Sequence, residues 1–251
     1  MSLTATTGLD VRIARDAADI HAAQQLRYAV FIKELGGDGP LVDHEAQVER
    51  DRFDPFVDHL VVFDGARAVG VYRVMRADQA AAAGGFYSAN EYDLTPLLTS
   101  GRRVLELGRS CLHPDYRGGM AMHLLWGALA RYIADHGIAV LFGVASFHGT
   151  DVEALKQPLS LLHHRHLAPP ELRVRALEIS YQDMNLIAET QIDRKRATRA
   201  IPSLIKAYLR LGGMVGEGAF VDRQFNTVDV CLILDTTRMN ARQMRLYGGT
   251  G

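Results

Sequence analysis

The chain has 251 residues, 48% hydrophobic and 23% charged, with 28 Lys and Arg against 29 Asp and Glu and a formal net charge of -1. This is the composition of an ordinary globular chain long enough to bury a sizeable core, and the near-neutral balance gives no support for a nucleic-acid partner. Cys111 and Cys231 lie far apart in apolar runs, so buried free thiols are expected rather than a disulfide framework. Met1 to Arg12 lacks a basic segment followed by an apolar one, so no secretory leader is expected, and the apolar run Ile138 to Phe147 is too short to span a bilayer.

Leu9 to Ala14 alternates as a short strand. A helix is expected from a cap at Asp16 or Asp19 to about Leu35, with Ile20, Ala23, Leu26, Val30 and Phe31 on its apolar face. Gly36 to Val57 reads as a long acidic loop carrying Asp38, Asp43, Glu45, Glu49, Asp51 and Asp54. His59 to Phe63 pairs with Ala68 to Met75 as a hairpin across Asp64-Gly65. Ala77 to Ser100 reads as irregular, with a short helix near Leu94 to Leu98. A strand over about Arg103 to Leu112 precedes a helix from about Met120 to His136, with Gly137 as its C-cap. Ala139 to Ala145 is wholly apolar and reads as a central strand, and Asp151 opens a helix that reaches His164. Leu167 to Asp193 is mixed, Arg194 to Leu211 reads as a basic helix, and Met214 to Val221 and Thr227 to Leu234 as late strands. A last helix is expected over about Arg238 to Leu246. The order predicts a mixed α/β layer with helices on a sheet. Neither G-x-G-x-x-G nor a P-loop motif is present, so nucleotide binding has no sequence support.

The most informative stretch runs from Leu105 to Gly119. It opens as an apolar strand carrying Glu106 and Arg109 and ends in the glycine-rich turn Arg117-Gly118-Gly119, with a helix at once behind it. Such a strand-turn-helix unit offers backbone N–H groups and a positive helix end to an anion. Glu106 and Arg109 fall on opposite faces of a flat strand, and a bulge near Gly108 would bring them together. Arg73 shares a strand face with Val69 and Val71. Arg27, Asp51, Asp54, Arg73, Glu106 and Arg109 each lie in or beside apolar secondary structure. If they converge, arginine can grip a carboxylate bidentately while an acid holds an ammonium or takes its proton, which suits a zwitterionic ligand. The plainer reading of the same residues is a set of structural ion pairs. Cys111 reads as a small buried thiol rather than an acylated nucleophile. His148, His163, His164 and His166 lack a ligand pattern such as HExxH, so no metal site is expected, and Trp126 reads as core packing.

The segments Leu26-Arg27-Tyr28-Ala29-Val30-Phe31 and Asp51-Arg52-Phe53-Asp54, the strand with Arg73, and Glu106-Leu107-Gly108-Arg109 together resemble the acyl-homoserine-lactone synthases. A closer resemblance is to the L-ornithine Nα-acyltransferases. It is carried by Gly85-Phe86-Tyr87-Ser88, Glu106 to Cys111, Tyr116-Arg117-Gly118-Gly119 and Ser146-Phe147-His148-Gly149-Thr150-Asp151. It continues through His163-His164 with His166, Pro169-Pro170, Val221-Asp222, Gln224-Phe225-Asn226-Thr227 and Asp229. The resemblance spans about Arg12 to Asp235.

That resemblance implies a GNAT-like α/β fold, with a mixed, largely antiparallel central sheet flanked by helices. Residues 1–251 would form a single acyltransferase domain with a family-specific C-terminal extension from about 167. It implies N-acyl transfer of a (3-hydroxy)acyl chain from acyl carrier protein to the α-amine of ornithine, giving lyso-ornithine lipid. No cofactor would be bound permanently, the donor being the acyl-phosphopantetheine of the carrier protein. The expected location is cytoplasmic, with peripheral contact at the inner membrane. Glu106 would be the general base, grouped with Arg109, Arg27 and Asp51. Arg73, Asp54, Phe31 and Cys111 would face the substrate, the arginines taking its α-carboxylate and Asp51 and Asp54 its cationic side chain. His113, Arg117, Gly118 and Gly119 would hold the phosphopantetheine, and amides around Cys111 to His113 the oxyanion. Arg194, Arg196, Arg199 and Lys206 would dock carrier protein or membrane.

One departure matters: the usual GNAT turn Arg-x-x-Gly-x-Gly/Ala reads here Arg117-Gly118-Gly119-Met120-Ala121-Met122. Met120 crowds a pyrophosphate and leaves room for a donor with a single phosphate. Acylation of glutamine, glycine or a homoserine-lactone-type amine, and a non-catalytic GNAT-like binding module, are the alternatives.

Overall fold

The computed structural model describes residues 8–239. Its strands are β1 (Leu9–Ile13), β2 (Asp58–Asp64), β3 (Arg67–Arg76), β4 (Tyr92–Asp93), β5 (Val104–Leu112), β6 (Val140–His148), β7 (Arg175–Ala176), β8 (Tyr181–Gln182), β9 (Met214–Val215), β10 (Ala219–Asp222) and β11 (Thr227–Asp235). Its α-helices are α1 (Ala17–Arg27), α2 (Ala77–Ala83), α3 (Thr95–Leu98), α4 (Met120–His136), α5 (Lys156–His166), α6 (Arg194–Ala200) and α7 (Ser203–Arg210). The described residues divide into two compact units: 8–84 with Leu107–Gly137, and Gly85–Glu106 with Ile138–Met239. β5 contributes its first three residues to the second unit and the rest to the first.

In the first unit, Asp16 starts α1 by accepting the N–H groups of Ala18 and Asp19 at 2.9 and 3.0 Å. Asp16→Ala should therefore lower stability by about 1 kcal/mol in urea unfolding. The helix runs on as expected but changes form, widening into a π-helix over Tyr28–Glu34 directly after Arg27. Such π segments are uncommon and frequent at functional sites. β2 and β3 make the expected hairpin, but it turns on Gly65-Ala66, with Gly65 at φ 59°, rather than on Asp64-Gly65, because Asp64 still pairs with Arg67; a register shift falls between Val62 and Phe63. β1 and β3 flank β2 antiparallel, and β5 lies next to β3. Ala23, Leu26, Val30, Val61, Phe63, Ala68, Val71 and Cys111 form one core cluster, with Phe31 packed against it.

One expectation needs correction here and one holds to the residue. Ala77–Ala83 is a helix, α2, where irregular chain was expected. Four consecutive alanines supply the propensity, and the Gln79 side chain accepts the Arg76 N–H at 2.8 Å to close the first turn. α4 spans Met120–His136 and stops at Gly137 in the left-handed region at φ 59°.

In the second unit, Val104–Glu106 pairs parallel with β6, and β6 pairs antiparallel with β11 from Thr227↔His148 to Asp235↔Val140. β10 and β9 pair antiparallel with β11, β8 with β10, and β4 with β7. The expected mixed, largely antiparallel sheet with helices is found. The apolar centre includes Leu105, Leu141, Phe147 and Ile233, and Phe86 meets Phe142 edge-to-face at 5.1 Å.

Four boundaries differ from the sequence reading. β6 extends past Ala145 to His148, because the β11 ladder continues there. α5 begins at Lys156, while Asp151 instead accepts the Ala154 N–H in the preceding turn. The long basic helix is two helices, because Ile201 before Pro202 takes an extended conformation, ψ 132°. The strand expected over Met214 to Val221 divides into β9 and β10, with Gly218 at φ 73° before the second. The expected last helix lies outside the described residues except for a 3₁₀ turn at Thr236–Arg238. Among the described residues no helix is long and apolar enough to cross a membrane.

Candidate active site

Within the first unit the sequence brings three arginines and three acids onto one buried lattice. Arg27 ends α1 and is fully buried. Its Nη1 and Nη2 donate to the two carboxylate oxygens of Asp54 at 2.7 and 3.1 Å, and its Nε donates to Glu49. Arg73 Nη1, from β3, donates to both oxygens of Asp51 at 2.7 Å and to Asp54 at 3.0 Å. Arg109, from β5, donates to Glu49 at 3.2 Å and to Asp51 at 3.1 Å. Gln24 adds a donor to Asp54 at 2.9 Å.

Burial by itself would raise both aspartates. Arg27 and Arg73 outweigh it at Asp54, and Arg73 and Arg109 at Asp51, so both carboxyls are held below the usual carboxylate range. Burial pushes the neighbouring His59 down, toward the neutral imidazole. Three guanidiniums face three carboxylates, so the lattice balances its own charge.

Five of the six charged residues singled out in the sequence thus meet as predicted. Glu49 completes them, and its only sequence signal was an acid two residues before Asp51 in the acidic loop. The pairing corrects one expectation, since the oxygens of Asp51 and Asp54 are already engaged by arginines and leave little capacity for a substrate ammonium. Asp51 and Arg109 are the members that reach the surface, with side chains 18% and 15% exposed. Arg109 itself sits at φ 50°, an uncommon conformation for a residue with a side chain. The expected irregularity of β5 is therefore present, but centred on Arg109 rather than on Gly108.

Glu106 lies in the second unit and is 5% exposed. The N–H of Tyr87 donates to its Oε2 at 2.9 Å and that of Ser88 to its Oε1 at 2.6 Å. Both donors open the 3₁₀ turn Tyr87–Asn90, which the Gly85-Phe86-Tyr87-Ser88 segment had marked without revealing its use. Two main-chain donors fix the carboxylate in one orientation.

In the first unit, Gly118 at φ 74° and Gly119 lead into α4, and no side chain caps that helix. Its first-turn N–H groups are oriented for an anion. Arg117 pairs through two nitrogens with Glu34 at 2.7 and 2.6 Å, and Arg67 donates to His113 Nε2 at 2.6 Å. Met120 is 48% exposed at the helix start. The amide of His113 donates to Val69 O at 2.9 Å, so it is not available to an oxyanion as expected. Cys111 is buried and burial pushes its thiol up to about 12, which leaves it a poor nucleophile. Phe31 packs on the core cluster. Arg194, Arg196 and Arg199 are exposed on α6, and half-buried Lys206 on α7 donates to Arg199 O at 3.4 Å.

The described residues also bring together three carboxyl groups, Glu91, Asp222 and Asp229, within 4.8 Å of one another in the second unit. His164, by contrast, meets the Ile187 carbonyl at 3.1 Å at the end of α5.

Much of β5, the glycine turn and the uncapped start of α4 lie within residues 26–127, which match the family model described as an acetyltransferase (GNAT) domain. The chain shares this fold with the CoA-dependent acyl-homoserine lactone synthase BjaI, at a TM-score of 0.50 and 16% identity over 91% of this chain and 80% of that one. It is 59% identical to the L-ornithine N(alpha)-acyltransferase of Rhodobacter capsulatus over 95% of this chain and 94% of that protein. It is 45% identical to that of Brucella abortus over 96% of this chain and 89% of that protein. The chain belongs to the L-ornithine Nα-acyltransferase family, and it is an acyltransferase.

Proposed function

We propose that this chain transfers a (3-hydroxy)acyl group from acyl carrier protein to the α-amine of L-ornithine, giving lyso-ornithine lipid. The observation that carries the reading is the buried Glu106 carboxylate, aimed by two amides, in a chain 59% identical to an ornithine acyltransferase. Glu106 takes a proton from the α-ammonium, directly or through one water. The freed nitrogen pair attacks the thioester carbonyl carbon, forming the C–N bond. Collapse of the tetrahedral intermediate breaks the C–S bond, and the departing thiolate takes up the second proton, which the attacking nitrogen sheds to become a neutral amide. Within the first unit, Arg109 reaches the surface and is read as a carboxylate-binding group. Arg27, Arg73, Asp51, Asp54 and Glu49 position it.

The donor phosphate is read at the first turn of α4, with Gly118 and Gly119 letting the chain approach and Arg117 and His113 beside it. Met120 favours a lone phosphate over a pyrophosphate, so kcat/KM should be higher with acyl carrier protein than with the matching acyl coenzyme A. The reverse preference would remove the carrier protein from the reading. The exposed basic face of α6 is read as its dock. Reversing two charges, Arg196→Glu with Arg199→Glu, should raise KM for acyl carrier protein about tenfold and leave coenzyme A kinetics unchanged. An unchanged KM would remove that dock. The whole chain is read as one acyltransferase, the part from about 167 being a family-specific extension, acting in the cytoplasm with peripheral contact at the inner membrane.

A further inference from the structure

Glu91, Asp222 and Asp229 belong to no part of the chemistry described so far. Asp229 stands on β11 and is 4% exposed. Its Oδ1 is buried with no hydrogen-bond partner. The Ser146 and Thr227 hydroxyls and the Glu91 carboxyl hydrogen-bond to its carboxylate, and the Asp222 carboxyl stands beside it. Asp222 closes the β10–β11 turn, its Oδ1 accepting the N–H groups of Gln224 and Phe225 at 2.8 and 3.0 Å. These partners are neutral donors, and Oδ1 is left buried without one of its own, a cost that a cationic donor would relieve. The site is not sealed, because Ser146, directly opposite Asp229 in the ladder, is exposed.

The same short turn that aims the base also reaches this cluster. Tyr87 and Ser88 hold Glu106 at its start, and Glu91 follows its last residue, with the Glu91 N–H donating to Ser88 O at 3.1 Å. At about 2 Å rise per residue, Ser88 and Glu91 are about 6 Å apart along the turn. The α-nitrogen and the side-chain nitrogen of ornithine are separated by five single bonds of about 1.5 Å each, about 6 Å when extended. On the same turn, Ser88 Oγ is fully buried and also has no partner.

We infer that Glu91, Asp222 and Asp229 form the specificity pocket for the side-chain ammonium of the acceptor, with Asp229 Oδ1 as its principal acceptor. This rests on the reading of ornithine as the acceptor. Burial pushes the Asp229 carboxyl up to about 6, as expected of a carboxylate awaiting a cation.

The test uses the full-length protein and compares kcat/KM for L-ornithine with that for L-norvaline, which has the same carbon chain without the ammonium. The wild type should prefer ornithine by about 100-fold or more. Asp229→Asn should reduce that ratio by about 100-fold, mainly through KM for ornithine, and Asp222→Asn by about tenfold. Asp222 is half-buried on a hairpin, so its variant gives an answer even if Asp229→Asn does not fold. Wild-type ratios in both variants would overturn the pocket while ornithine acylation itself stands. So would a preference that a chelator abolishes and a divalent cation restores, since the carboxyls would then hold a metal. A wild type that acylates norvaline and ornithine alike, or neither, would instead remove ornithine as the acceptor and the pocket with it.

Discussion

Glu106→Gln should lower kcat by about a thousandfold, the size of effect expected from loss of a general base. Glutamine keeps the shape and one acceptor oxygen, but its amide nitrogen would face one of the two N–H donors of Tyr87 and Ser88. A stability loss of about 1–3 kcal/mol from that mismatch should accompany the change. The two effects separate by measuring kcat well below the melting transition, where the variant is folded. A general base also predicts that the acidic limb of the pH–rate profile disappears in the variant. A folded Glu106→Gln enzyme with near wild-type kcat would remove Glu106 from the chemistry.

The second large effect is structural. Arg27→Met should lower stability by about 3–5 kcal/mol, because it leaves the buried carboxylates of Glu49 and Asp54 without their shared guanidinium. Urea unfolding at neutral pH measures it. The pH dependence follows from the direction of the Asp51 and Asp54 shifts, both held low in the folded chain by arginines. A depressed folded pKa contributes stability that is fully present above the unfolded value, about 3.9, and is lost as pH falls below it. The wild type should therefore lose stability below about pH 4. In Arg27→Met, Asp54 keeps its burial and loses its first counter-charge, so acid unfolding should begin at a higher pH. Identical acid transitions in the two proteins would contradict the role of Arg27 in holding Asp54.

The residues of the lattice were legible in the sequence because charged side chains inside apolar elements are conspicuous. Arg27, Arg73 and Arg109 could be picked out one by one. Their partners were less clear, since Glu49, Asp51 and Asp54 sit in a loop rich in acids, and only the folded chain decides which acid each arginine takes. The strand-turn-helix unit from β5 to α4 was legible to the residue at its helix, because Gly119 and Gly137 bracket an unbroken amphipathic run. The basic helix is two because Pro202 forces Ile201 into an extended conformation, and α2 is short, a run of alanines closed by Gly84 in the left-handed region. The acidic pocket was not legible. Asp222 and Asp229 are near each other in the chain, but Glu91 arrives from more than a hundred residues away, and only the sheet brings the three carboxyls together.

The most direct measurement is mass spectrometry of the products formed by purified protein with 3-hydroxyacyl carrier protein and an equimolar mixture of amino acids. The expected product is Nα-(3-hydroxyacyl)ornithine, with the α-amine acylated and the side-chain amine free, formed in preference to every other adduct. Acylation of the side-chain amine, or of another amino acid in place of ornithine, would contradict the assignment of the acceptor. No product would contradict acyl transfer from the carrier protein.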